Sequence, residues 1–290
     1  SEGVAMILLD FSNIIVGSIM VAHRIPNEER TSEDFIRHLV LNSIRNYRIK
    51  HKDKYGELVI CTDMHSSWRK QEYQYYKAHR KIKREKQKSE GMNWSDLFQT
   101  INTIILEIDE FFPYKVIRVP HAEGDDVIAV LARNIPEKSI IISSDKDFTQ
   151  LQKYKNIKQF SPIQKKMLTV PDPYKYLKEH IIRGDKGDGI PNILSPDDCI
   201  VEGVRQRPIS KKKVETWMDK KPEDFCENGM SEKWERNKKL IDFDCIPKEI
   251  SDAIVSEYAK EKTPKQGQLL NYFISKKLKF LMEHIGDFTK

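Results

Sequence analysis

Short apolar runs, separated by longer amphipathic stretches, set the pattern of the first part of the chain. The runs are AMILL (5–9), ELVICT (57–62), YKVIRVP (114–120) and KSIIISS (138–144), and helical periodicity appears at 33–50 and 94–112. Continuous apolar runs are typical of parallel strands that are covered on both faces. The pattern therefore predicts an α/β fold over residues 1–180, with a mostly parallel central sheet flanked by helices.

The pattern changes after Pro191. The following residues are polar and punctuated by prolines, and helical periodicity returns at 210–219, 251–261 and 268–285. We therefore predict a smaller helical region over residues 181–290.

Acids follow the apolar runs or open the helices after them. Nine such positions stand out, namely Asp10, Asp63, Glu123, Asp125, Asp126, Asp145, Asp147, Asp185 and Asp188. A single acid of this kind is usually a helix cap or a surface ion pair. In an open α/β sheet, however, the carboxyl ends of the strands form the ligand site. Nine carboxylates that meet there would repel one another unless cations compensate them.

The residue types indicate which cation is expected. Oxygen ligands suit Mg²⁺, whereas the few histidines and cysteines near these acids argue against zinc. Two such cations form a clamp for displacement at a phosphodiester. The acids therefore predict phosphoryl chemistry, and they leave a nuclease and a phosphatase both open.

Positive charge is concentrated in one segment. The chain has 50 Lys and Arg against 44 Asp and Glu, a net charge of +6, and nine of the cations but only three of the acids lie between Arg69 and Glu90. The aromatic residues Trp68, Tyr73, Tyr75 and Tyr76 are interleaved with them. This composition suits phosphate contact and base stacking, although a solvated surface helix would also explain it. The segment 68–92 lacks apolar periodicity, so we expect it to be mobile without substrate.

Five segments occur in an order that resembles the 5′-nuclease (flap endonuclease) superfamily. They are LLDFSN, CTDMHSSWRKQEYQYYKAHR, HAEGDDVIA, SSDKDFTQL and RGDKGDGIPNI. The likeness covers nearly the whole chain and is greatest to the ribonuclease H branch of T-even-like bacteriophages. It implies a basic helical arch at about 66–92 and a metal-dependent enzyme. The expected activities are 5′ to 3′ exonuclease and 5′-flap endonuclease action that removes RNA primers and adjacent DNA during phage replication.

The resemblance also implies roles for individual residues. Asp10, Asp63, Glu123, Asp125 and Asp145 would hold a first Mg²⁺, and Asp147, Asp185 and Asp188 a second, with Mn²⁺ as a substitute. Asp126 matches an acid that joins the site in some relatives. Lys77 and Arg80 match arch cations that touch the scissile phosphate and, with Asp125 and Asp145, form the expected catalytic set. Tyr76 matches an aromatic residue that stacks on a terminal base.

Nucleic-acid contacts are expected from both regions of the chain. The candidates are Arg69, Lys70, Tyr76, Lys77, Arg80, Lys81, Lys83, Arg84, Lys211, Lys212 and Lys213. The last three lie where the family carries a glycine-rich helix–turn–helix, which here reads LSPDDCIVEGVRQRPISKKK. A helix–turn–helix-like DNA-binding part is therefore expected within 181–290, in a modified form.

Forked, flapped or nicked DNA and RNA–DNA hybrids are the expected partners of a monomer. A single-strand-binding protein and a sliding clamp are further candidates. Gln266, Leu269, Tyr272 and Phe273 match the spacing of clamp-binding peptides, although the apolar face of a C-terminal helix would give the same pattern.

Other classes of protein fit less well. A PIN-type ribonuclease would lack the arch, and a haloacid-dehalogenase-type phosphatase would need a second acid two residues after Asp10, where Ser12 stands. A non-catalytic single-strand-binding protein would not need nine converging acids. The chain has no long apolar run and no secretory signal pattern, and its four scattered cysteines are typical of reduced thiols. We therefore expect a cytoplasmic protein without membrane contact, in the host cytoplasm if a phage encodes it.

Overall fold

A six-stranded sheet forms the centre of the molecule. The structure is a computed structural model that describes residues 5–23, 32–89 and 93–290. The strands are β1 (Met6–Asp10), β2 (Glu57–Cys61), β3 (Lys115–Ile117), β4 (Ser139–Ile142), β5 (Ile157–Ser161) and β6 (Lys166–Leu168). Their order is β3-β2-β1-β4-β5-β6, and only β6 runs antiparallel to its neighbour. The predicted α/β fold with a mostly parallel sheet is confirmed.

Helices cover both faces of this sheet and continue to the end of the chain. The helices are α1 (Phe11–His23), α2 (Glu33–Tyr55), α3 (Trp68–Glu72), α4 (Ala78–Ser89), α5 (Trp94–Phe111), α6 (Gly124–Asn134), α7 (Pro173–Arg183), α8 (Lys211–Met218), α9 (Pro222–Phe225), α10 (Met230–Ile241), α11 (Lys248–Ala259), α12 (Gln268–Ser275), α13 (Lys279–Glu283) and α14 (Gly286–Thr289). Short 3-10 helices occupy Lys146–Lys153, Lys186–Asp188 and Phe243–Cys245. No helix of the described ranges has the length and hydrophobicity that a membrane crossing requires.

Alternating residues of the central strand point to opposite faces, as a strand dictates. Ile7 and Leu9 of β1 belong to one apolar cluster, whereas Met6 and Leu8 belong to another. All five residues of β1 are buried. The apolar runs lack alternation because both faces of the sheet need apolar side chains.

The strand order fixes where a ligand site can lie. The chain moves outward in one direction from β1 to β2 and β3, then returns to the other side of β1 for β4 and β5. The switch point therefore lies between β1 and β4. In open α/β sheets, the crevice beyond the strand ends at this point binds ligands, and β1 ends at Asp10.

The last helices pack against the sheet. Leu269, Tyr272 and Phe273 of α12 are buried in the same cluster as Ile7 and Leu9. These three are the apolar positions of the clamp-like pattern, so the helix-face explanation accounts for that pattern in this structure. The division of the chain at residue 180 stays a prediction.

The expectation that residues 68–92 lack contacts with the core is wrong for the first part of the segment. Trp68, Tyr73 and Tyr76 are buried, Trp68 in the cluster under β1 and the two tyrosines in a third cluster with Ile181 and Ile182. Helix α4 is the exposed part of the segment. Residues 90–92 of the expected arch lie outside the described residues.

The helix–turn–helix-like part expected within 181–290 stays a prediction, and α7 and α8 do not form it. Helices α7 and α8 are joined by residues 184–210, whereas a helix–turn–helix has a turn of about three to four residues. The predicted helix around 210–219 is present as α8, and Ser210 caps it by accepting the backbone N–H of Lys213. These two helices therefore do not form that motif.

Candidate active site

Asp10 and Asp145 lie at the switch point of the sheet. Asp10 ends β1, and Asp145 follows β4 after two serines. The hydroxyl of Ser143 donates to Asp10 Oδ2 over 2.7 Å and accepts the backbone N–H of Asp145 at 3.1 Å. Repulsion from the Asp145 carboxylate contributes to a raised pKa of Asp10. The two acids are thus linked through Ser143.

Asp63 and Asp125 join this pair from the next strand and helix. The backbone N–H of Gly124 donates to Asp63 Oδ1 over 2.5 Å, which ties the loop after β2 to the start of α6. Asp125 lies in the first turn of α6, where the helix dipole favours negative charge. Repulsion from Asp145 and Asp10 raises its pKa, after the larger effect of burial. These four acids therefore lie near one another at the strand ends and the start of α6, and their role as metal ligands stays a prediction.

A second group of acids surrounds a histidine. The backbone N–H of Asp147 donates to Asp145 Oδ1 over 2.9 Å, which places Asp147 next to the first group. Across from it, Asp185 Oδ1 accepts the backbone N–H of Asp188 at 3.1 Å. His180 lies between them, with Nδ1 3.3 Å from Asp147 Oδ1 and Nε2 3.0 Å from Asp185 Oδ2.

Two cations of the basic segment reach the acids. Lys77 Nζ lies 2.5 Å from Glu123 Oε1 and 3.8 Å from Asp188 Oδ1, and Arg80 Nη2 lies 3.0 Å from the same Asp188 oxygen. Lys77 therefore links Glu123 to Asp188, and Arg80 contacts Asp188 alone among these acids. Their side chains remain partly exposed, so they can contact a substrate phosphate.

Backbone contacts hold these cations in place. The N–H of Lys77 donates to the carbonyl of Asp188 over 2.7 Å, and Lys77 adopts a φ of 55°. The loop comes so close that a Cβ on Gly189 would lie 2.9 Å from the carbonyl oxygen of Tyr75. Gly189 also has a φ of 74°, which favours glycine.

Burial and mutual repulsion raise the pKa values of several of these carboxyl groups. Burial, with added repulsion from Asp145 and Asp63, raises the pKa of Asp10 to about 7. Burial also raises the pKa of Asp188 to about 6, against the opposing effect of Lys77. Hard divalent cations with carboxylate ligands would remove this cost. The carboxylate donors therefore fit a divalent cation, and the carboxylates of both groups would hold it.

Comparisons with known proteins identify the family of this chain. The profile of the family described as "5'-3' exonuclease, N-terminal resolvase-like domain" matches residues 6–180. That of "T4 RNase H, C terminal" matches residues 175–288. The ribonuclease H of Enterobacteria phage T4 is 33% identical to this chain over an alignment of 300 positions. The alignment covers 99% of this chain and 96% of that protein. The chain belongs to the 5′–3′ exonuclease family. The resemblance inferred from the motifs is confirmed, and the protein is a nuclease of this family.

Solved structures of the 5′–3′ exonuclease family share the fold. A flap endonuclease of bacteriophage T5, solved as a pseudo-enzyme–product complex with DNA and metal ions, has a TM-score of 0.60 at 14% identity. The match covers 87% of this chain and 97% of that one. A phage T5 protein co-crystallised with metal ions has a TM-score of 0.58 at 16% identity, over 87% and 96% of the two chains. At these identities the likeness shows the fold alone.

The raised pKa of Asp10 leads to a stability prediction. The folded protein keeps this proton up to about pH 7, whereas an unfolded aspartic acid releases it at about pH 4. Between these pH values the folded state binds more protons, so the free energy of unfolding falls as pH rises. We expect Asp10→Asn, measured by thermal unfolding in EDTA at pH 8, to raise Tm by about 2–4 °C or more.

The control for this prediction is Asp172→Asn. Asp172 caps α7 by accepting the backbone N–H groups of Tyr174 and Lys175, and asparagine caps a helix equally well. We expect this variant to melt with the wild type. An Asp10→Asn protein that melts at or below the wild-type temperature in EDTA would contradict the raised pKa of Asp10.

The structure does not support three of the predicted site residues in their expected roles. Asp126 is 0% exposed, and its oxygens accept hydrogen bonds from Trp68, Arg69 and the backbone of Glu123. Arg69 is 3% exposed and pairs with Glu123 and Asp126. Tyr76 is also 3% exposed, and its hydroxyl donates to Glu123. Asp126 is therefore not available to a metal, and Arg69 and Tyr76 are not available to nucleic acid.

Burial and the neighbouring cationic side chains have opposite effects on the pKa of Glu123. Burial alone would raise its pKa, but the charges of Lys77 and Arg69 outweigh burial and lower that pKa to about 2. Its carboxylate is thus already compensated within the protein. We keep Glu123 as a proposed residue of the site because Lys77 connects it to Asp188.

The other predicted nucleic-acid contacts are accessible. Lys70, Lys81, Lys83, Lys211, Lys212 and Lys213 are exposed, and Arg84 is half-buried over the ring of Phe98. His180, by contrast, was missed by the sequence reasoning, which counted histidines near the acids as few. The residue lies in the last turn of α7, five positions before Asp185, and this nearness in sequence to a predicted ligand was the signal that could have found it.

Proposed function

We propose that this protein is a divalent-cation-dependent 5′-nuclease that acts on flapped DNA and RNA–DNA hybrids. Its task would be the removal of RNA primers and adjacent DNA during phage replication. One observation supports this proposal most. Two groups of carboxylates lie near the switch point of the sheet, and Lys77 and Arg80 contact acids there.

The site residues divide the chemistry between them. Asp10, Asp63, Asp125 and Asp145 would hold one cation, and Asp147, Asp185 and Asp188 the other. Two such cations supply a reactive water and stabilise the leaving oxygen. Lys77 and Arg80 would bind the scissile phosphate and offset its charge in the transition state.

Exposed cations extend from this site along the molecule. Lys81 and Lys83 lie on α4, and Lys211, Lys212 and Lys213 lie at the start of α8. We infer that both groups contact the phosphate backbone, which positions the substrate without reading its sequence. We also propose that the protein is a monomer, that it works in the host cytoplasm, and that a single-strand-binding protein is a further partner.

Cleavage of 5′-labelled substrates tests the proposal. A 5′-flap DNA and an RNA–DNA hybrid are incubated with Mg²⁺ or with EDTA, and the product lengths are measured. We expect short 5′-labelled products from both substrates, only in Mg²⁺. Binding without cleavage would favour a single-strand-binding protein, cleavage of RNA strands alone a PIN-type ribonuclease, and release of phosphate alone a phosphatase.

Arg80→Ala should lower the rate of cleavage more than the affinity for substrate. Its guanidinium is partly exposed beside Asp188, so it can offset charge that grows in the transition state. We expect kcat for a 5′-flap to fall by about 10²-fold, as for the loss of one such donor in other enzymes. Lys77→Ala should act similarly, provided that thermal unfolding shows it to be folded.

The control is Lys81→Ala, which removes an exposed cation from the next position of α4. A contact with the phosphate backbone of the substrate contributes mainly to affinity. We therefore expect this variant to have a higher Kd and a nearly unchanged kcat. If Arg80→Ala and Lys81→Ala give the same pattern, Arg80 is only a phosphate-binding residue.

A further inference from the structure

His180 combines two contacts that a surface histidine would not have. On one side, Nε2 lies 3.0 Å from Asp185 Oδ2 in a hydrogen bond. On the other side, Nδ1 lies 3.3 Å from Asp147 Oδ1, but the atom is buried and has no hydrogen-bond partner. The orphaned nitrogen therefore points at a carboxylate that the proposed function assigns to the second cation.

Helix α7 holds the imidazole in this position. Ile181 and Ile182 follow His180 in the helix and are buried in the cluster with Tyr76. The ring of Tyr176 contacts the His180 ring edge-on at a centroid distance of 5.8 Å. The side chain is therefore fixed by packing as well as by Asp185, as a metal ligand requires.

The arrangement matches that of a metal-binding histidine. Such a residue binds the ion through one ring nitrogen and donates from the other to a carboxylate, which sets the tautomer. Neighbouring ligands of an octahedral ion with bonds of about 2.1 Å lie roughly 3 Å apart, close to the 3.3 Å between Nδ1 and Asp147 Oδ1. Both atoms can therefore bind one ion.

We propose that His180 Nδ1 is a ligand of the second cation, beside Asp147, and that Asp185 orients the imidazole through Nε2 in place of the direct ligand role given to it above. Imidazole nitrogen suits transition metals, whereas Mg²⁺ prefers oxygen. The second position would thus bind Mn²⁺ in preference to Mg²⁺, unlike the first position, which has carboxylates alone. This inference rests on the proposed function, because it concerns the same pair of cation positions.

Electron paramagnetic resonance of bound Mn²⁺ tests the assignment. In the wild type, we expect the second Mn²⁺ to show coupling to one ¹⁴N nucleus. His180→Gln, which keeps a donor for Asp185, should abolish the coupling and lower the Mn²⁺ affinity of this position by at least about tenfold. Its Mg²⁺ affinity, measured by competition, should change by less than about threefold, because Mg²⁺ depends on the oxygen ligands.

The control variant is His284→Gln, which changes a histidine of the C-terminal helices. It should bind both ions as the wild type does. Absence of ¹⁴N coupling in the wild type overturns the proposal whether or not His180→Gln folds, and so does an equal loss of affinity for both ions. If a 5′-flap is cleaved in Mg²⁺ while the coupling is absent, only the His180 assignment fails. If neither ion binds and no flap is cleaved, the proposed function fails as well.

Discussion

Asp145→Asn should abolish cleavage of a 5′-flap while leaving its binding nearly intact. Asp145 lies between the two groups of acids, and repulsion from Asp185 contributes to its raised pKa, after burial. Loss of its charge would deprive the reacting water and the leaving oxygen of a well-held cation. Such polarisation contributes several kcal/mol, and each 1.4 kcal/mol or so is tenfold in rate. We therefore expect kcat in Mg²⁺ to fall by about 10³-fold or more.

The affinity should respond differently. Binding depends mainly on cationic side chains that contact the phosphate backbone, and we propose that these lie on α4 and α8. One negative charge fewer in the site would leave Kd, measured in Ca²⁺, equal to or slightly below the wild-type value. A parallel loss of binding and turnover would indicate a misfolded site rather than a lost metal ligand.

The chain offers a matched control in Asp242→Asn. Asp145 and Asp242 both precede a 3-10 helix, and each accepts the backbone N–H of the residue two positions later at 2.9 Å. Asparagine can make the same bond in both places. We expect Asp242→Asn to retain wild-type turnover. If Asp145→Asn also keeps near-normal turnover in Mg²⁺, Asp145 is only a cap and the metal assignment is wrong.

The sequence predicts the centre of the fold well because one physical effect dominates there. Parallel strands covered on both faces must be continuously apolar, so β1, β2 and β4 are visible as runs ending before Asp10, Asp63 and Asp145. Strand β6 forms one edge of the sheet and β5 lies next to it, and both carry exposed polar residues such as Lys158 and Lys166. Their pattern is therefore weak, and they were not predicted.

The site is predictable as a set of acids but not as a set of roles. Asp125 and Asp126 are neighbours in the same motif, yet Asp125 shares charge repulsion with Asp145 and Asp10, whereas Asp126 is compensated by Arg69. Helix packing between distant parts of the chain decides which of these carboxylates pairs with a buried cationic side chain such as Arg69. Spacing in the sequence does not contain that information.

Arg69→Met should destabilise the protein strongly, although the sequence predicts Arg69 as a nucleic-acid contact. The guanidinium is buried and lies 2.5 Å from Glu123 and 2.7 Å from Asp126. Its Nε also donates to the carbonyl of Leu240 over 2.8 Å, which joins α3 to α10. Removal of one partner from such a buried pair leaves an uncompensated charge, at a cost of about 3–5 kcal/mol.

Two comparisons make this expectation specific. Lys70→Met changes the exposed neighbour, so its free energy of unfolding, from urea denaturation, should stay within about 0.5 kcal/mol of the wild type. Its affinity for a 5′-flap should fall, and more so at low salt, because phosphate contacts are screened. Addition of Asp126→Asn to Arg69→Met should recover part of the lost stability, since the buried charge is then absent and contacting residues couple. Equal free energies of unfolding for Arg69→Met and Lys70→Met would mean that the ion pairs of Arg69 contribute little to stability. Arg69 would then be a candidate nucleic-acid contact again.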